Sequence, residues 1–195
     1  VADTGIRSLI PSLGSTQPAE RERAARTLFE AGSTLARTAI SRWLGFPPLA
    51  TLLTRDASGA LEFTVGIAVQ TETFDRLQAA NGSARLADVP PEQDAKEFEL
   101  EFQGGVRLDI LSTRQPGGGG AIDRFLGKFG EGIQQIEIGV RDLDRATAAL
   151  RDEFSIAPIY PAARGGADGT RVNFFLVPTG DGGKVLIEFV ENRHP

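Results

Sequence analysis

Apolar residues recur at helical spacing over the first part of the chain and then switch to strict alternation. From Ala19 to Leu44, residues such as Ala25, Leu28, Ala36, Ala39, Ile40 and Trp43 form a broad stripe at a period of about 3.6. The stripe predicts a long amphipathic helix, with Gly32 as the point where it divides in two and Gly45 to Pro48 as its stop. Before it, Ile6 to Ile10 reads as a helical turn broken by Pro11 and Gly14, and Ser15 or Thr16 is placed to cap the long helix. Leu49 to Leu53 extends the helical part as a short turn, and the polar run Arg55-Asp56-Ala57-Ser58-Gly59 closes it. An apolar stripe needs a surface to cover. The plainer reading packs this arm on a following sheet with Trp43 in the core; the other makes it an oligomerisation element or a lid.

From Leu61 the period becomes two. Val65, Ile67 and Val69 alternate with Thr64, Gly66 and Ala68. Thr73 to Ala80 reads as a short helix with Phe74 and Leu77 inward, closed by Asn81-Gly82. Strands follow at Ala84–Val89, Lys96–Phe102 and Val106–Leu111, the last two joined by Gln103-Gly104-Gly105. Gln115 to Gly120 is a flexible linker, and Ile122 to Phe129 a short helix. The plan then recurs. Ile133 to Val140 is a strand with Ile136, Ile138 and Val140 on one face and Gln135, Glu137 and Gly139 on the other. Asp142 caps a helix over Leu143–Phe154 with Leu143, Ala146 and Leu150 inward. Ala157–Pro161, Arg171–Val177 and Lys184–Val190 read as strands, with a Gly-rich loop at Arg164–Gly169.

The fold class is therefore α+β: a helical arm at 1–58, a first βαβββ module at 59–113, a linker and short helix at 114–130, and a second βαβββ module at 131–195. One offset superimposes Val69 on Val140 and Thr64 on Gln135. A slightly larger one superimposes Val106 on Val185 and Asp109 on Glu188, as a longer loop in the second copy would require.

Composition narrows the chemistry. The 195 residues are 41% hydrophobic and 24% charged, with a net charge of −5 that argues against a nucleic-acid surface. No apolar run approaches the ~20 residues of a membrane span. The chain opens on Val1 and has no Met, so its start is expected to be processed, and a cytoplasmic location is expected. Cys is absent, which excludes disulfides, thiolate metal sites and cysteine nucleophiles. The one histidine, His194, excludes a multi-histidine metal site within the chain. Gly117 to Gly120 has no following Lys-Ser/Thr and is not a phosphate loop.

The matched positions carry the candidate chemistry: Thr64 with Asp109, and Gln135 with Glu188. Asp109 and Glu188 sit in otherwise apolar strands, where an enclosed carboxylate needs a donor, a cation or a proton. The alternative is that both face solvent on an open sheet. Arg107 and Lys184 are expected to point away from these carboxylates.

The runs Phe129-Gly130-Glu131-Gly132-Ile133-Gln134-Gln135-Ile136, Gly169-Thr170-Arg171-Val172-Asn173-Phe174-Phe175 and Gly183-Lys184-Val185-Leu186-Ile187-Glu188-Phe189-Val190-Glu191 resemble the glyoxalase/vicinal-oxygen-chelate superfamily. Val89-Pro90-Pro91-Glu92-Gln93 and Ile122-Asp123-Arg124-Phe125-Leu126 resemble its methylmalonyl-CoA epimerase branch, and the resemblance spans about residues 61–191. It implies two modules whose mixed sheets curl around a cavity holding a divalent metal. The implied ligand positions are Thr64, Asp109, Gln135 and Glu188. The family's Gly-Ile-His-His-Ile motif reads Gly132-Ile133-Gln134-Gln135-Ile136 here, so imidazole is missing from both first-strand positions. An all-oxygen set favours a hard ion, and the cofactor expectation is either none or a weakly held divalent ion, Mg²⁺ or Ca²⁺ before Zn²⁺. By the same resemblance, Glu97 and Glu137 are the candidate proton-transfer bases, although the Glu97-Glu99-Glu101 face also reads as a solvated edge.

The functional expectation is a small-molecule pocket with isomerase, epimerase or lyase chemistry on a carbonyl or thioester. Metal-free binding of a small molecule, as in resistance proteins of the superfamily, and a partner-binding module are the alternatives. The expected partner is a small-molecule ligand, with no nucleic acid or membrane, and a homodimer is the assembly considered.

Overall fold

A computed structural model describes residues 4–192, so His194 lies outside the described residues. In chain order, helices α1 (Thr4–Leu9), α2 (Pro18–Leu44) and α3 (Pro47–Ala50) precede strand β1 (Phe63–Ala68) and helix α4 (Thr71–Ala80). Strands β2 (Ala95–Phe102) and β3 (Val106–Thr113) come next, then helix α5 (Ala121–Phe129), strand β4 (Gly132–Gly139) and helix α6 (Leu143–Phe154). Strands β5 (Arg164–Gly165), β6 (Arg171–Pro178) and β7 (Lys184–Glu191) complete an α+β fold with mixed pairing. By contact the chain forms two compact units. One joins residues up to Gly32 with Thr64–Gln134; the other joins Ser33–Phe63 with the chain from Gln135 onward.

Helix α2 runs unbroken through Gly32, where a division was expected. A helix-interior glycine costs only about 1 kcal/mol. Burial of Ala24, Ala25 and Leu28 before it and Ala36, Ala39 and Trp43 after it outweighs that cost. The opening α-helix ends at Leu9, two residues before Pro11, as expected, and the chain continues as a tighter turn. Pro11 sits in the first turn of a 3₁₀ helix over Ile10–Gly14, where its missing N–H is not needed. Ser15 Oγ accepts from the Gln17 N–H at 3.2 Å and donates to Glu20 at 2.7 Å, securing the entry to α2.

In the first unit the strand order is β2-β3-β1. β1 lies parallel to β3 with Gly66 opposite Asp109, and β2 lies antiparallel to β3 with Glu99 opposite Asp109. Phe74 of α4 stands edge-on to Phe98 of β2 at 4.9 Å, inside a core that includes Leu77, Leu108 and Ile110. The segment Ala84–Val89 is not the strand expected from its alternation. It makes one ladder-like bond, Ala87 N–H to the Glu97 carbonyl at 3.0 Å, and Pro90 and Pro91, lacking N–H groups, end the pairing. At the end of α5, Gly130 has φ +70°, and the Arg7 guanidinium occupies the place a Cβ would take while donating to the Phe129 carbonyl at 2.5 Å. Only glycine satisfies both demands.

The second unit has the order β4-β7-β6-β5. β4 is parallel to β7 with Glu137 opposite Glu188, and β6 is antiparallel to β7 with Phe174 opposite Glu188. Trp43 of α2 is buried edge-on against Phe189 at 5.6 Å, and Phe175 packs on Phe189 at 5.1 Å. Phe189 and Glu188 are successive on one strand and point to opposite faces. The helix therefore covers the face away from the carboxylates. Asp142 caps α6 as expected, accepting from the Arg145 N–H at 3.0 Å, and Leu143, Ala146 and Leu150 are buried. Two local expectations fail. Ala157–Pro161 makes only an isolated bridge between Pro158 and Phe175, and the loop expected at Arg164 instead opens with β5 pairing on β6. A two-residue strand has no periodicity to read.

Trp43→Ala removes the ring seated on Phe189. It is expected to destabilise the protein by about 3–5 kcal/mol in urea unfolding. A loss below about 1 kcal/mol would contradict the packing described.

Candidate functional site

Period-two geometry puts Gln135 and Glu137 on one face of β4, and the parallel register puts Glu188 directly beside Glu137. Gln135 and Glu188 are buried, at 7% and 8% exposure, and Glu137 is half-buried. Two carboxylates on adjacent strands repel unless something stands between them. Here the Gln135 amide does so: Nε2 donates to Glu188 Oε2 at 2.6 Å and to Glu137 Oε1 at 3.0 Å. A primary amide has two N–H donors, and this orientation uses one for each carboxylate. Phe174 lies on the same face beside Glu188, and Tyr160 stands edge-on to it at 6.0 Å.

The first unit presents a comparable face. Thr64 and Gly66 alternate with core residues on β1, and Asp109 stands beside Gly66. Thr64 and Asp109 are buried at 6% and 7% exposure. On the other side of Asp109 is Glu99, with Glu97 and Glu101 on the same face opposite Leu111 and Arg107. Glu99 is exposed along its outer side, but neighbouring groups crowd its carboxylate and partly desolvate it, and the Asp109 charge adds repulsion. Together they push its pKa up to about 7, with Arg107 opposing and Glu101 reinforcing the shift.

Among the described residues seven polar or charged side chains are buried, and four of them are the expected Thr64, Asp109, Gln135 and Glu188. The solvent-facing alternative for Asp109 and Glu188 is thereby overturned. Two of the four fall in each unit. Gln135 and Glu188 meet, and the candidate base Glu137 joins them; Thr64 and Asp109 share a face, as does the candidate base Glu97. Arg107 does not point away as expected. It lies two residues from Asp109, in the same phase of the strand, and Lys184 shares the phase of Glu188 in the same way. Sequence reasoning did not single out Glu99 as the carboxylate facing Asp109 across the hairpin. The signal was present in the Gln103-Gly104-Gly105 turn, which fixes the hairpin register and sets Glu99 opposite Asp109.

A cleft of about 880 Å³ also opens in the second unit, lined by Thr54, Arg55, Glu62, Val140, Arg141 and Glu191, with Asn192 at its rim. None of the expected site residues lines it. Its Glu191 is already engaged by Arg171 at 2.6 Å and by the Leu143 N–H at 3.2 Å, contacts that tie β7 to β6 and to the start of α6.

The chemistry of the donor set bears on the metal that the resemblance implies. No imidazole or thiolate exists among the described residues, and no group of three or more Asp or Glu side chains there is placed to hold an ion. Gln135 turns its N–H side, not its carbonyl, toward both carboxylates. A hard ion would require that amide to turn over and present Oε1. The set as arranged does not fit a transition ion.

No protein-family model matches the chain, and no curated protein matches it by sequence. Solved structures do. Methylmalonyl-CoA epimerase from Mycobacterium tuberculosis is 30% identical, with 67% of this chain and 87% of the other covered and a TM-score of 0.54. A methylmalonyl-CoA epimerase in complex with methylmalonyl-CoA and NH4+ is 27% identical, covering 72% of this chain and 96% of the other at a TM-score of 0.55. A variant of Streptomyces coelicolor methylmalonyl-CoA epimerase in complex with 2-nitronate-propionyl-CoA is 25% identical, covering 73% and 99% at a TM-score of 0.55.

Gln135→Leu keeps the volume but deletes both donors. It is expected to cost about 1.5–3 kcal/mol in chemical denaturation, since hydrogen bonds to charged groups are lost from a buried site. An unchanged midpoint would show that the amide does not support the carboxylates. Glu99 gives a pH signature. Its folded pKa near 7 lies above the ordinary 4.5, so the stability it contributes is full below the ordinary value and declines as pH rises toward 7. Glu99→Gln should remove that decline. The Tm of the variant minus that of the wild type is expected to rise between about pH 5 and about pH 8, and a flat difference would refute the coupling.

Proposed function

Because this chain belongs to the glyoxalase/vicinal-oxygen-chelate superfamily, in company with the methylmalonyl-CoA epimerases it matches, we propose that it receives a small carbonyl or acyl-thioester molecule against its carboxylate-bearing sheet face and moves a proton on it. The observation that carries this reading is the Gln135–Glu137–Glu188 cluster: a buried and a half-buried carboxylate on the face away from α2, held ready by a neutral donor. Burying charge there lowers stability relative to an apolar face, so the cluster is better explained by chemistry than by folding.

In this reading Glu137, the more exposed carboxylate, exchanges the proton, and Glu188 and Gln135 position it. The proton is one α to the carbonyl, which a carboxylate within hydrogen-bond reach can remove and return. The chain's own groups act through hydrogen bonds and proton exchange.

A second reading, binding without turnover, is favoured by one specific feature. Both N–H groups of Gln135 are occupied by carboxylates, and the imidazoles that hold the superfamily's metal are replaced. Incubating acyl-CoA thioesters with the protein in D₂O and following α-deuteration by NMR separates the two. Proton transfer predicts catalysed exchange that Glu137→Gln lowers by about 10²- to 10⁴-fold. Saturable binding with no exchange above the buffer rate establishes the second reading and sinks the first. In parallel, Co²⁺ titration followed by its visible absorption is expected to show no micromolar site in the wild type.

A further inference from the structure

We propose that Arg164 anchors an anionic group of the ligand, a carboxylate or a phosphate, at the far end of the face that carries Glu137 and Glu188. The inference rests on the small-molecule reading above and adds the charge of the molecule that fits.

Register places the residues. Arg164 on β5 pairs with Val172 on β6, and Val172 shares the phase of Phe174, which pairs with Glu188. Arg164, Phe174, Glu188 and Glu137 therefore lie on one face of the second unit's sheet. Contacts join them in a line. The Arg164 guanidinium carbon sits 4.5 Å from the Tyr160 ring centroid, and Tyr160 stands edge-on to Phe174 at 6.0 Å. The line thus runs from a cation, across two aromatic rings, to the carboxylate cluster. Two inter-strand steps and one alternate-residue step put the backbone of Arg164 on the order of 12 Å from that of Glu188.

The guanidinium is set up to receive an anion. The guanidinium carbon sits over the Tyr160 ring, which covers one side of it and leaves the edge N–H donors to make a forked bond. Among the described residues no carboxylate forms an ion pair with it. Arg171, one strand away and in the opposite phase, shows the contrast: it is bound by Asp144 at 3.0 Å and Glu191 at 2.6 Å. The opposite end of the face, at Glu137 and Glu188, is acidic and repels an anion. A ligand that spans the face is therefore oriented, with its carbonyl toward Gln135 and its negative group toward Arg164. This gives an acidic fold surface a means to hold an anionic acyl thioester that its carboxylates alone would reject.

Isothermal titration with three probes tests the anchor: glutaryl-CoA, butyryl-CoA, which lacks the acyl carboxylate, and butyryl-pantetheine, which lacks the nucleotide phosphates. Arg164→Gln is expected to weaken at least one anionic probe by about tenfold or more and to leave the neutral butyryl-pantetheine unchanged. Loss confined to glutaryl-CoA assigns the acyl carboxylate; loss for both CoA thioesters assigns the phosphates. Arg164→Lys should recover part of the affinity. The wild-type affinity should fall between ~50 mM and ~300 mM NaCl, and the Gln variant should flatten that dependence, which a merely structural role would not do. Equal affinities for wild type and Arg164→Gln across all probes overturn the anchor and leave the pocket standing. Failure of the wild type to bind any of the three overturns the pocket reading and the anchor with it.

Discussion

Two carboxylates held side by side on adjacent parallel strands set the terms for the second unit. Glu137 and Glu188 are fixed opposite each other by register, not by choice of rotamer. Such a pair must share a proton, hold a cation or be bridged by donors. Gln135 supplies the bridge from the same strand, two residues back and therefore on the same face. The residue type matters. A neutral imidazole has one N–H, and a protonated one directs its two in divergent directions. A primary amide is the neutral group that offers two N–H bonds from a single nitrogen. Gln135 thus stabilises the cluster while adding no charge to it.

The first unit meets the same electrostatic problem differently. Its parallel pair is Gly66 beside Asp109, so no second carboxylate stands on that side. The like charge comes instead from the antiparallel partner, Glu99. No amide intervenes in the register. Arg107 offsets part of the repulsion, and desolvation together with what remains of it raises the Glu99 pKa to about 7. One unit answers with donors and the other with a proton.

Much of this is legible from alternation and from the repeat of the βαβββ plan. Strand phase and the offset between the two repeat units single out Thr64, Asp109, Gln135 and Glu188, because burial of a strand face is a period-two property. Helix α6 was legible at both ends because Asp142 is a strong cap. What escaped had no local signal or had one misread. β5 is too short to show a period, and the expected strand at Ala84–Val89 had the pattern but not the N–H groups beyond it. Gly32 looked like a break because propensity is local, whereas the stripe on either side of it is buried by tertiary packing. Arg107 was placed on the wrong face although it lies two residues from Asp109. The Gln135 bridge was out of reach for a different reason: register between β4 and β7 is a long-range fact, and only it makes Glu137 and Glu188 neighbours.

The saturation of Gln135 constrains any chemistry on this face. A ligand carbonyl arriving there competes with Glu137 and Glu188 for the same two N–H bonds. It gains a hydrogen bond only if a carboxylate loses one, and a carboxylate that loses a donor in a buried site becomes easier to protonate. Under the proposed reading, ligand binding and carboxylate protonation are thus coupled through a single amide. A metal site works the other way, since a cation holds carboxylates ionised and lowers their basicity. A donor-bridged pair leaves basicity to be set by which partner holds the N–H at a given moment. That property suits proton exchange with a bound carbonyl, and it follows from the amide at position 135 together with the parallel register of two strands.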